Sequence, residues 1–254
     1  TSQGHPRVTD GAVEFIDTHC HLDADALGRD PAGVLARARA AGVTRVVVPA
    51  YDLASWAATA ALARLEGVLP ALGLHPWVAH EPLDPAHLRE ELRACGAVAV
   101  GEIGLDAKID GADLALQTRA LRAQLAVAVE LDLPVLLHCR GAFAELLAVL
   151  REFAPALRGV VHAFSRGPDL AEKFLAAGMA IAFGGAITRP ASRARAAAAA
   201  LPLARVVLET DAPSIGLQGI EAAAVEPRHV RDVALALAEL RGEALEAVAE
   251  VTTN

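Results

Sequence analysis

Short apolar runs recur along the chain, each followed by a polar or glycine-containing turn and then an alanine-rich stretch. The runs are Val13–Asp17, Val43–Ala50, Val68–Leu74, Ala97–Ile103, Leu133–His138, Gly159–Ala163, Met179–Phe183 and Arg205–Leu208. Continuous Val/Ile/Leu runs of this length predict strands buried on both faces, as in a parallel sheet. The stretches between them predict helices. Asp30 before Pro31 places a capping residue ahead of a first-turn proline. Val34, Leu35, Ala38 and Ala41 form the apolar face of the helix that follows, and Gly42 closes it. Gln117–Leu131, Ala142–Phe153 and Arg228–Leu240 repeat this logic, and Thr188–Ala200 reads as an alanine-rich helix with arginines on its wet face.

Eight such units in 254 residues predict an α/β protein, a (β/α)8 TIM barrel. Residues 1–10 lack periodicity and read as a flexible tail, leaving 11–254 as a single barrel domain. A doubly wound open sheet is the structural alternative. To bind a dinucleotide it would need a glycine fingerprint after the first strand, and neither GxGxxG there nor GxxxxGK[ST] occurs.

Composition narrows the function. A net charge of −8 argues against coating duplex nucleic acid by charge alone. No apolar run is long enough for a membrane span, and the opening residues carry no secretory-signal pattern. Three cysteines, Cys20, Cys95 and Cys139, without CxxC spacing argue against a disulfide framework or a zinc ribbon, so a reducing cytoplasm is the expected location. Lysine occurs only as Lys108 and Lys173.

Of the nine histidines, His19, His21, His75, His138 and His162 fall at or just beyond the C-terminal end of an apolar run. In a parallel barrel that rim carries the chemistry. Asp17, Glu102, Glu209 and Asp211 share the preference. Alternation along a strand points His19 and His21 the same way and turns Cys20 towards the helices as a buried, inert thiol. It likewise pairs His138 with Arg140 and turns Cys139 away. Four imidazoles (His19, His21, His138, His162) and two carboxylates (Glu102, Asp211) converging on one rim match two divalent cations sharing a carboxylate. Without metal, several would be buried unpaired at about 1–3 kcal/mol each. Imidazole favours Zn or Mn, while carboxylate and phosphate also suit Mg.

The segments FIDTHCHLD (15–23), GLHP (73–76), GEIGLD (101–106), LPVLLHCR (133–140), HAFS (162–165) and LETDAP (208–213) resemble, in order and spacing, the TatD family of metal-dependent hydrolases, over roughly residues 14–254. The resemblance implies a phosphodiesterase that trims single-stranded DNA from the 3′ end, with DNA ends as partner and no membrane or obligate protein partner. It assigns His19, His21 and Asp211 to one metal, His138 and His162 to a second, and Glu102 to the bridge. It places His75 and Arg140 in the substrate pocket near a phosphate. As a carboxylate, Asp211 can both hold a metal and accept the attacking water's proton. Trp77, and after it Phe164, are the candidate platforms for a base. The chain departs from the family pattern at Ala107, Gly141, Ala163, Arg166 and Val225, where an aromatic residue, Asp, Cys, Gly and Asn are usual. None of these is an expected ligand. Relatives usually continue for several helical residues past the position of Asn254.

The nearest rival is an amidohydrolase-type enzyme acting on small esters, lactones or phosphotriesters. Many of these use a carboxylated lysine as the metal bridge, and neither Lys108 nor Lys173 ends an apolar strand. Deacylation of misacylated transfer RNA is a second alternative. A vestigial barrel serving as a binding protein is a third, and the intact ligand set argues against it.

Overall fold

The apolar runs become eight parallel strands: β1 (Phe15–Asp17), β2 (Val43–Pro49), β3 (Val68–Leu72), β4 (Ala99–Asp106), β5 (Val135–Arg140), β6 (Gly159–Val161), β7 (Met179–Phe183) and β8 (Val206–Leu208). Each pairs with its neighbours in sequence order. The structure is a computed structural model that describes residues 13–253; the expected tail over residues 1–10 lies outside the described residues.

The sheet closes through β1 and β8. The Thr18 N–H donates to the carbonyl of Leu208 (3.0 Å), Asp211 to that of His19 (2.8 Å) and His21 to that of Ala212 (2.8 Å). The Asp17 carboxylate reinforces this seam by accepting from both the backbone N–H and the hydroxyl of Thr210. The seam therefore runs through the HxH segment itself, which fixes both imidazoles to the rim.

Strand alternation divides the apolar side chains in two. Val46 and Val48 of β2, and Val135 and Leu137 of β5, join the large core beneath the helices. Val47 and Leu136 between them join Ala71 and Ala99 in a separate cluster, which is the barrel interior. Along β4 the alternation breaks. Val100 and Ile103 both lie in the outer core, and the β4–β5 register shifts between them. This shift turns Glu102 into the barrel. Gly104 next to it has a φ of +151°, and a Cβ there would meet the carbonyl oxygen of His138.

The helices follow the cap signals. Asp30 accepts from the Gly33 N–H (2.9 Å) ahead of the helix Pro31–Ala40. The expected helix over 188–200 is shorter: a 3-10 turn covers Gly185–Thr188 and the α-helix begins only at Ala194. Pro190 explains the gap, because proline restricts the residue before it to extended backbone.

Two buried glutamines on the helix Leu114–Leu131 hold the rim from outside. The Gln124 amide accepts from the Leu74 N–H (2.7 Å) and donates to its carbonyl (3.2 Å). Gln117 does the same for Asp106, at 2.8 and 3.0 Å. Each supplies backbone pairing where a strand neighbour ends. Gln124→Leu leaves two buried backbone groups without partners, so unfolding free energy falls by about 2–4 kcal/mol. Urea unfolding checks this: the midpoint drops with an unchanged m-value, and an unchanged midpoint contradicts it.

Candidate metal centre

A cavity of about 600 Å³ opens at the C-terminal ends of the strands, lined in part by His21, His75, Glu102, His138, His162 and Asp211. Glu102, 3% exposed, is its centre. Its Oε1 faces His138 Nδ1 at 3.0 Å, His162 Nε2 at 2.8 Å and His75 Nε2 at 3.3 Å. Its Oε2 faces His19 Nε2 at 3.2 Å and His21 Nε2 at 3.8 Å. Asp211 Oδ1 completes the second side, 3.4 Å from His21 Nε2 and 4.0 Å from His19 Nε2. The backbone of Asp211 is left-handed (φ +53°), a conformation that aspartate tolerates better than most residues. All six expected ligands therefore meet, and the two oxygens of Glu102 divide them into two sets.

Burial pushes the Glu102 carboxyl up, but the surrounding imidazoles, His162 and His19 foremost, hold it well below the usual range. Burial disfavours charge on His162, yet the adjacent Glu102 carboxylate carries it up to about 10. His19 goes the other way, down to about 4, through burial and repulsion from His162. Asp211 stays below the ordinary range because the nearby imidazoles of His21, His19 and His162 outweigh its burial.

These residues fit divalent metal. His19 Nδ1 and Nε2, His162 Nδ1 and Asp211 Oδ1 are buried without a hydrogen-bond partner. His19 Nε2 lies close to Glu102 yet is misaligned for a hydrogen bond. Ligand atoms around a cation at about 2.1 Å are separated by roughly 3.0–3.4 Å. The separations within the two sets run from 2.8 to 4.0 Å and so bracket that spacing. Three groups meet the geometric requirement for a bound ion: His19–His21–Asp211, His19–Glu102–His162 and His75–Glu102–His138.

Hydrogen bonding distinguishes His75 from His138, although both reach Oε1. The Trp77 N–H donates to His75 Nδ1 at 3.2 Å, which puts the proton of the neutral ring on Nε2 and makes that atom a donor. Burial lowers the His75 pKa despite the neighbouring Glu102, so the neutral ring is favoured. His138 instead sets Nε2 3.0 Å from Asp106 Oδ2, which accepts its proton and leaves the Nδ1 lone pair for a cation.

Asp106 is a candidate site residue that sequence reasoning missed, although it ends the GEIGLD segment. Its Oδ2 also accepts from the Trp77 indole N–H (2.7 Å), and its Oδ1 accepts from the Lys108 N–H (2.7 Å) and faces Arg140 Nε at 3.6 Å. Burial raises its pKa, but His138, Trp77 and Lys108 together hold the carboxyl far below its ordinary value. One carboxylate thus orients a candidate ligand, the candidate base platform and the candidate phosphate grip. Glu209 was noted at the end of its run without a role. It is fully buried beside His162, accepts from the Ala163 N–H, and is pushed up to about 8 mainly by burial. Asp17, also raised by burial, to about 7, belongs to the barrel seam.

Trp77 is 44% exposed and lines the cavity mouth, so its ring is open to a stacking partner. That of Phe164 is not: the residue is 2% exposed and packs edge-on against Phe183. Its position two residues past His162 does not reveal this packing. Cys20 is buried as expected, with its thiol raised well above the ordinary value by burial. Cys139, expected to turn away, contributes to the cavity lining, and burial pushes its thiol up to about 12.

Asp106→Asn is isosteric but sets an amide NH2 against a donor in either orientation, facing Lys108 N–H or the Trp77 and His138 N–H groups. Divalent-metal affinity therefore falls about 10–100-fold. Calorimetric titration of chelator-treated protein measures this, and wild-type affinity in the variant would exclude the orienting role.

The family model described as TatD related DNase matches residues 16–254. The metal-dependent hydrolase YjjV of Escherichia coli K12, itself uncharacterized, is 39% identical over 94% of this chain and 95% of its own length. A protein of Edwardsiella piscicida named 3′-5′ ssDNA/RNA exonuclease TatD is 35% identical over 78% of this chain and 79% of its own. The solved structure of YjjV matches with a TM-score of 0.90 at 38% identity, covering 96% of both chains. An eight-stranded parallel barrel, a buried carboxylate ringed by imidazoles and a family match from β1 to the C-terminal helix lead to one conclusion: the chain belongs to the TatD-related DNase family and is a metal-dependent hydrolase.

Proposed function

We propose that the chain hydrolyses phosphodiesters with two divalent cations, and that its substrate is the 3′ end of single-stranded DNA. The observation that carries this reading is the division of ligands by Glu102, one oxygen towards His138 and His162, the other towards His19 and His21 with Asp211 beside them. Glu102 would bridge the two cations. His19, His21 and Asp211 would complete one, and His138 and His162 the other. When bound, such a pair neutralises phosphate charge, acidifies a water and stabilises the leaving oxygen.

The chain's own groups supply the rest. With Oδ1 on the metal side, Asp211 has its other oxygen to accept the attacking water's proton. His75, neutral with its proton on Nε2, donates to a phosphate oxygen. The Arg140 side chain, half exposed and steadied by Asp106, offers a planar fork to the same phosphate. Trp77 gives the terminal base a face to stack on. The DNA-end assignment takes further support from the Edwardsiella relative's name. No lysine lines the cavity among the described residues, which disfavours a carboxylated-lysine bridge. No described helix is long and apolar enough to cross a membrane. We place the protein in the cytoplasm on its cysteine content.

Single strands labelled at either end test the reading with Mg, Mn or Zn. The 5′-labelled strand should yield a ladder of shortened products and the 3′-labelled strand immediate release of label. Turnover of a lactone or a paraoxon-like ester alone would overturn the assignment. Glu102→Gln should lower kcat/KM on the order of a thousandfold or more. Wild-type turnover in that variant would remove Glu102 from the bridge.

A further inference from the structure

Three arginines line the cavity from consecutive loops: Arg140 at the end of β5, Arg166 after β6 and Arg189 after β7. Neighbouring strands lie about 4.8 Å apart, so these loops stand side by side on one flank of the mouth. Arg140 already faces Asp106. Arg166 and Arg189 differ, for neither is among the arginines that pair with a carboxylate within the described residues. The Arg166 guanidinium lies over the ring of Phe143, 5.2 Å from its centroid, and its Nε–H is buried without a partner. Arg189 is anchored by one N–H donated to the carbonyl of Gly216.

A guanidinium over an aromatic face gains cation–π attraction, and its fork suits phosphate oxygens. Two cations without carboxylate partners, in a chain of net charge −8, mark a local site for an anion. The cavity, at about 600 Å³, is of a size that takes a whole small ligand and more than a lone phosphate.

We propose that Arg166 and Arg189 form a second phosphate subsite, which binds a non-scissile phosphate of the substrate next to the bond being cut. The proposal rests on the phosphodiesterase reading and adds to it a preference for strands carrying more than one phosphate at the cut end.

Three dinucleotides test it: dithymidine monophosphate with no terminal phosphate, and the same molecule with a 5′ or a 3′ phosphate. All share one cleavable internal diester. The wild-type enzyme should favour one phosphorylated form over the bare dinucleotide about tenfold in kcat/KM, a charged hydrogen-bond pair's worth. Arg166→Met keeps contact with Phe143 and, like Arg189→Met, should bring that ratio towards one; Arg166→Lys should fall between. Tryptophan fluorescence titration of chelator-treated protein should give the same ranking in affinity without turnover. Equal use of all three by the wild type, or a preference that survives both methionine variants, overturns the subsite and leaves the phosphodiesterase reading standing. Cleavage of none overturns the reading beneath it; the titration then decides the subsite alone, and equal affinities would overturn that too.

Discussion

Burying the carboxylate of Glu102 at the top of a closed barrel is the constraint on which the rest depends. An isolated ionised carboxylate in such a place is prohibitively costly. Here imidazoles on both sides hold it ionised. The same crowding leaves His19, His162 and Asp211 atoms buried without hydrogen-bond partners. Hydrogen bonding alone does not satisfy the cluster, whereas divalent cations between its atoms would. The affinity for metal therefore follows from the packing of the rim and not from any one residue.

The scaffold places this cluster through three devices. The β8–β1 seam, with Asp17 on Thr210, sets the HxH segment beside Asp211. The register shift in β4 turns Glu102 inward, and Gly104 lets β4 pass close against His138. Gln117 and Gln124 clamp Asp106 and Leu74 from the helix behind, holding the loop ends that carry Asp106 and His75. Through Asp106 the backing helix, the His138 imidazole and the exposed Trp77 form a connected chain.

Much of this was legible in the sequence, because a barrel rim writes its chemistry at the ends of apolar runs. The strands, the HxH pair, Glu102, His138, His162 and Asp211 all declared themselves by that position. What stayed hidden depends on partners brought together from distant segments. Asp106 stands in the sequence only as the last residue of GEIGLD, and its contacts with His138 and Trp77 come from segments far along the chain. Simple alternation from Ala99 would have turned Glu102 towards the helices; the register shift that corrects it has no periodic signature. Phe164 was misjudged because its partner, Phe183, lies on another strand. Arg166 stands in the sequence only as a departure from a family pattern, because its ring partner, Phe143, lies on another segment.

The central claim is that Glu102 joins two cations through separate oxygens. Anomalous diffraction from crystals grown with manganese tests it most directly. The account predicts two peaks about 3.5–4 Å apart. One should touch Glu102 Oε1, His138 and His162, and the other Oε2, His19, His21 and Asp211. A single peak at saturating manganese, or peaks that leave either oxygen of Glu102 free, would contradict it.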